Sequence, residues 1–423
     1  MFPGTCAELS APRYCPGAMR WPTSIALLAG CVALGVCLAL AGCGGSTTLI
    51  VRTTSTSSAP ASSNAGIGFP VLATKNTTRV SGVDPINDAA GVALAVFPSA
   101  APGTHPTSVT IAPTDDWQAA IAASVLMAPP IGAPVLLSGT GVLPPATTNA
   151  LHLLAPTGTS SLVGAQVIRV GDVPAPKGLK SATITGSGPY ALAAAINRYA
   201  SAAAGKASPD VVIASADDPA YAMPAAGWAA ESGDPVLFVS SSGVPAVTAQ
   251  ALRSDSHPNI YVLGPSSVIP DSVLTQLGQY GTVKRVGAQD PAANSVAFAT
   301  YRDPPCASDQ SCVHVPGSFG WAMRSPGHGY TLLNASRPLD AAASAALSAS
   351  GTFGPQLVLD SGNVLPTSVL NFFLDYATPG YTQEGPTAAV YNHGWLIGDP
   401  STISVSVQAQ VDSLLEVVPQ KGG

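Results

Sequence analysis

Residues 209–240 read PDVVIASADDPAYAMPAAGWAAESGDPVLFVS. A β-branched apolar run, Val211-Val212-Ile213-Ala214, leads to the acids Asp217 and Asp218. An Ala-rich stretch follows, and then a second apolar run headed by proline, Pro235-Val236-Leu237-Phe238-Val239. Continuous apolar strands that alternate with helical stretches predict a parallel β-sheet covered on both faces.

The pattern extends outward in both directions and occurs three times. Each copy opens on a short strand ending in glycine: Arg79-Val80-Ser81-Gly82, Thr183-Ile184-Thr185-Gly186 and Lys284-Arg285-Val286-Gly287. A proline comes shortly after each (Pro85, Pro189, Pro291), where the first turn of a helix has no use for its missing N–H. The second strands, Val109-Thr110-Ile111-Ala112, Val211-Val212-Ile213-Ala214 and Thr331-Leu332-Leu333-Asn334, lead to Asp116, Asp218 and Asp340. Third strands begin near Pro134, Pro235 and Pro355, and fourth strands end at Gly171, Gly264 and Gly398. The opening glycine recurs at 82, 186 and 287, so the period is 104 and then 101 residues. That is far longer than a solenoid repeat, so each copy reads as a small domain. The expected fold is α/β, with three similar parallel-sheet repeat domains.

Upstream, residues 22–45 read PTSIALLAGCVALGVCLALAGCGG. An apolar run ending in Leu40-Ala41-Gly42-Cys43 resembles a bacterial lipoprotein signal peptide with its lipobox. Cleavage before Cys43 exposes the thiol that carries the lipid, and acyl chains then hold the protein to the membrane. An uncleaved transmembrane anchor and a plain secretory signal are the alternatives, although Gly30 and Gly35 interrupt a run already short for a span. Met19-Arg20 is the expected true start of this segment. Residues 44–68 are rich in Ser, Thr, Gly and Ala and read as a flexible tether with a reach of roughly 25–30 Å. The expected organisation is signal peptide 1–42, tether 43–70, and repeats at 71–181, 182–283 and 284–423. The folded part then lies outside the cytoplasm, lipid-anchored and facing the wall.

Composition narrows the partners. Charged residues are only 9% of the chain and the net charge is −6. A surface covered by Ser, Thr, Asn, Gln, Ala and Gly suits sugar-like or neutral partners, and nothing resembles a nucleic-acid footprint. Cys6, Cys15, Cys31 and Cys37 fall in the removed segment. Cys306 and Cys312, with five residues between them, are expected to form a disulfide. It would staple an insertion of the third copy and leave the core untouched.

The order of motifs over residues 78–415 resembles the type 2 cell-wall-binding repeat family of Gram-positive surface proteins. Asp116, Asp218 and Asp340 fall at that family's middle aspartate, and Gly132-Ala133-Pro134-Val135-Leu136-Leu137 is close to its Gly-x-Pro-Ile-Leu-Leu segment. Three features depart from it: Pro85, Pro189 and Pro291 stand where the family has an arginine, its Thr-Ala is missing, and single glycines replace its closing Gly-Gly. The resemblance implies non-covalent binding of a cell-wall or envelope glycopolymer, a pseudo-trimer of repeats and no catalysis.

Several residues admit two roles. Asp116, Asp218 and Asp340 sit where strands meet helix N-termini, as helix caps or as acceptors for ligand hydroxyls. Arg79, Lys284 and Arg285 either meet a phosphate or solvate strand ends. Trp117, Trp228 and Trp321 offer faces for sugars, Trp228 within an apolar helix that reads as core. Gly186-Ser187-Gly188-Pro189-Tyr190-Ala191 has the form of a dinucleotide turn, but no acid ends the next strand at the required distance, and a tight turn is expected. No G-x-S-x-G elbow and no metal-ligand spacing among the six histidines points to an enzyme, a metal or another cofactor. The competing function is a solute-binding lipoprotein of an import system, which has two lobes and one site.

Overall fold

The computed structural model describes residues 72–158, 163–308, 312–350, 353–381, 385 and 389–419. The lipobox, Cys43 and the tether lie outside these residues.

The first copy contains β1 (Leu72–Ala73), β2 (Thr77–Val80), α1 (Pro85–Val96), β3 (Val109–Pro113), α2 (Trp117–Ala123), β4 (Val135–Ser138), α3 (Pro145–Leu154) and β5 (Val167–Val170). The second contains β6 (Ser181–Ile184), α4 (Pro189–Ala204), β7 (Asp210–Ser215), α5 (Pro219–Ala222), α6 (Pro224–Ser232), β8 (Val236–Val239), α7 (Ala246–Ser254), β9 (Asn259–Leu263) and α8 (Asp271–Leu277). The third contains β10 (Thr282–Val286), α9 (Pro291–Thr300), β11 (Gly329–Asn334), α10 (Leu339–Ser348), β12 (Gln356–Leu359), α11 (Thr367–Phe372), β13 (Gly380–Tyr381), β14 (His393–Ile397), α12 (Val405–Leu414) and β15 (Val418–Pro419).

Local chemistry explains the helix starts. Asp84 and Asp290 accept from the N–H of Asn87 and Ala293 at 2.9 and 2.7 Å, and Pro85 and Pro291 take the first helical turn. The recurring glycine has a packing cause. A Cβ on Gly82, Gly186 or Gly287 would lie 2.5–2.7 Å from the nearest atom, which for Gly186 and Gly287 is backbone.

Three parallel sheets share one strand order: β4-β3-β5-β6, β8-β7-β9-β10 and β12-β11-β14-β2. The opening strand of each copy therefore sits in the sheet of the preceding copy. The sheets are offset by one strand from the repeats as they run along the chain. The first copy closes the series: β2 completes the third sheet, and β1 runs antiparallel to it at the edge. Register is the same at all three joins, with Val170 opposite Ile184, Leu263 opposite Val286 and Ile397 opposite Val80.

The Ala-rich helices after the middle strands meet one another. α10 packs on α6, and both contact α2 and the 3₁₀ turn Ser124–Met127 that continues it. Small side chains permit the approach: a Cβ on Gly227 of α6 would lie 2.6 Å from Ser348 Oγ of α10. Helix α1 lies on α10, joining the first copy to the third.

The insertion of the third copy is not peripheral, contrary to the sequence expectation. Cys306 and Cys312 are bonded, and Cys312 is buried. Phe319, Trp321 and Met323 of the same insertion are buried in the main core. Phe319 stacks on Tyr261 with ring centroids 3.4 Å apart, and Trp321 meets Trp228 edge-on at 5.2 Å. The aromatic content of the insertion decides this, because such side chains carry large apolar areas that are stabilised by burial.

Candidate functional site

The three aspartates aligned in the sequence have three different surroundings. Asp116 accepts from the Ala119 N–H at 2.8 Å and caps α2, and burial pushes its carboxyl above the usual range. Asp218 stands at the N-cap of α5 without a side-chain capping bond. Asp340 is fully buried as the second residue of α10, whose cap position is Pro338. It faces Arg337 Nε at 2.9 Å.

Arg337 also reaches Asp88 of α1 at 2.5 Å, and Asp88 accepts from the Gly82 N–H at 2.8 Å. Two fully buried carboxylates thus share one guanidinium. Burial and mutual repulsion raise Asp88 to about 8, and burial raises Asp340 to about 7. The signal for this cluster was present in the sequence as isolated acids within Ala-rich helices, INDAAG and LDAAAS.

The basic residues are committed within the chain. Arg79 is buried and donates to the carbonyls of Gly398 and Asp399 at 2.9 and 3.1 Å and to Gln408 at 3.0 Å. Arg285, at the matching position of β10, donates to the carbonyls of Gly264 and Ile269 at 2.7 and 2.8 Å and pairs with Asp271. In the first sheet Thr183 occupies that position, and Arg169 on the neighbouring strand reaches the Val173 carbonyl at 2.8 Å and Thr183 Oγ1 at 2.6 Å. A guanidinium pins the turn after the fourth strand in every sheet. Lys284 pairs with Asp303 of the insertion.

Trp228 and Trp321 are buried, whereas Trp117 is half-buried and packs edge-on against Phe238 at 5.7 Å. The turn at Gly186 is tight, as the sequence predicts, because the first turn of α4 backs onto it. Among the described residues no group of three or more His, Cys, Asp or Glu is placed to hold a metal ion.

The structure brings together a cavity that no motif announced. It has a volume of about 420 Å³ and lies where the Ala128-Pro129-Pro130 loop of the first copy, the ends of α4 and α6, and the third-copy insertion meet. Asn197, Ser201, Lys206, Asp210, Glu231 and His314 are among its lining residues. Asp234 beside them accepts from Ser208 Oγ at 2.5 Å and Trp228 Nε1 at 2.8 Å, yet burial lifts its carboxyl to about 6. Burial also raises Glu231 and Asp210. Amides, hydroxyls and weakly acidic carboxyls match the hydroxyl groups of a glycan better than they match a polyanion.

Residues 183–274 match the family model of cell wall binding domain 2 (CWB2). Among solved structures the chain is similar to Cwp6 from Clostridium difficile, at 15% identity over 81% of this chain and 48% of that one, with a TM-score of 0.60. It is also similar to Cwp8 from Clostridium difficile, at 13% identity over 81% of this chain and 52% of that one, with a TM-score of 0.57. The chain spans about half the length of these structures, and at such identities the likeness is one of fold. No curated protein matches the sequence. The chain is thus similar to the cell wall binding domain 2 family over residues 183–274, and in fold to Cwp6 and Cwp8 over four-fifths of its length.

Proposed function

We propose that this protein is an extracytoplasmic lipoprotein, tethered to the membrane through Cys43, that binds a cell-wall or envelope glycopolymer non-covalently and performs no catalysis. The observation that carries the reading is the 420 Å³ cavity, whose walls come from all three copies and include the copy that matches the wall-binding family. A site of this origin exists only when the copies assemble. Three sheets of one strand order also favour a wall-binding protein over a two-lobed solute receptor.

The polymer in this proposal is neutral. The net charge is −6, Asp210, Glu231 and Asp234 gather at the cavity, and Arg79, Lys284 and Arg285 already have partners inside the chain. The test is a pull-down of the full chain on purified walls before and after the glycopolymers are stripped. Retention that disappears on stripped walls and changes little between low and high salt is expected. Equal retention on stripped walls, or none on intact walls, would refute the reading and return attention to a soluble ligand.

A further inference from the structure

The first sheet lacks a helix that the other two possess. The connection from β9 to β10 contains α8, and the chain beyond β14 forms α12. The corresponding connection from β5 to β6, residues 171–180, contains none. Both existing helices bury an apolar pair four residues apart, Val273 with Leu277 and Val407 with Val411. Both segments also hold the loop that follows the third strand. Gln276 of α8 accepts from the Val244 N–H at 3.2 Å, and Ser404, which caps α12, donates its N–H to the Gly362 carbonyl at 2.7 Å.

In the first copy that loop is Gly141-Val142-Leu143, and no helix of the β5–β6 connection meets it. Val142 is 88% exposed. With Leu143, Leu151 and Leu179 it lines an open, mainly apolar groove of about 780 Å³. Lys177 and His152 also line the groove, and Lys180 follows in the same loop, with Asp172 as the acid of that loop.

We propose that this groove receives a short amphipathic helix from a partner protein of the cell envelope, with an apolar pair at positions i and i+4 and acidic residues on its polar side. The shape follows from the two sister sheets, each of which covers the equivalent place with such a helix. The charge follows from Lys177, the charged side chain that lines the groove, on a chain of net charge −6.

The probe is a lactam-stapled peptide of residues 269–279, which contains Val273 and Leu277 and needs no coil-to-helix transition on binding. Fluorescence anisotropy on the full chain should give saturable binding. Val142→Glu and Leu179→Glu should each weaken it at least tenfold, and Lys177→Glu several-fold. Val142→Glu alters an exposed side chain, so an unchanged melting temperature in that variant separates lost docking from lost folding. A photo-crosslinker at position 142 in cells should yield adducts that map to an acidic amphipathic helix of another protein. Absent peptide binding, binding indifferent to Val142→Glu, or adducts on lipid, glycan or a second copy of this chain would overturn the proposal.

Discussion

Arg337 Nη2 lies 2.5 Å from Asp88 Oδ2, so the start of the third copy's Ala-rich helix grips α1 of the first copy. The two residues are 249 positions apart, and the pair sits beside the join at which β2 completes the third sheet. Closure of the molecule therefore combines a strand pairing with a buried charge cluster.

Removing the guanidinium leaves the buried Asp88–Asp340 pair without its cation. Arg337→Met is expected to cost about 3–5 kcal/mol in urea unfolding at a pH where the pair is ionised, the range seen when one partner of a buried pair is lost, and less at a pH where both acids keep their protons. Asp88→Asn should cost less, because it also removes a charge that needed compensation.

Stability should fall as pH rises. Burial holds the carboxyls of Asp88 and Asp340 well above the value of ~4 for an unfolded carboxyl. Between the unfolded and folded values the unfolded chain has released protons that the folded chain keeps, so the contribution is complete below pH ~4 and is lost as pH climbs through the folded values. Melting temperatures from pH 5 to 8.5 should decline, and Asp340→Asn should flatten the slope. A rising profile over this range would contradict the assignment.

Asp116 and Asp340 separate under the same substitution. Asp116→Asn should be nearly neutral, since Asn caps as well as Asp, while Asp116→Ala should cost about 1 kcal/mol. Asp340→Asn changes the buried cluster and should shift stability more than Asp116→Asn does. Wall retention measured on folded protein should be unaffected by either. Loss of retention in Asp116→Asn with unchanged melting would assign that carboxylate to ligand.

The disulfide should matter more than a loop staple does. Cys306→Ser with Cys312→Ser frees a segment that carries Phe319 and Trp321 into the core, and a loss of about 2 kcal/mol or more is expected. Non-reduced protein should titrate with neither of these thiols free. A melting temperature unchanged by the double substitution would show that the aromatic packing holds the insertion by itself.

Anchoring and binding can be tested apart. Cys43→Ala should move the protein from the membrane fraction to the medium or leave it unprocessed; unchanged mass and fractionation would refute lipidation. Ala204→Trp places a bulky ring on an exposed helical residue that lines the 420 Å³ cavity. It should reduce wall retention severalfold with folding intact.

Much of the architecture was legible in the residues. Apolar runs such as Val211-Val212-Ile213-Ala214 can only be buried on both faces, and the prolines and glycines between them mark where helices begin and strands end. Repetition of that order gave the number of units and their parallel strands without any tertiary information. Sequence alone could not assign the opening strands to sheets. Arg79-Val80 opens the first copy in the chain yet pairs with Leu396 and Ile397 of the third, because strand partners are chosen by non-local register and burial. The same limit applies to the charges. Arg79, Arg285 and Asp340 look like surface groups when read in line, and the structure turns them inward, where backbone carbonyls or a paired guanidinium offset their loss of water. The cavity shared by three copies and the groove left by a missing helix likewise exist only after folding, since each is bounded by residues that distance along the chain keeps apart.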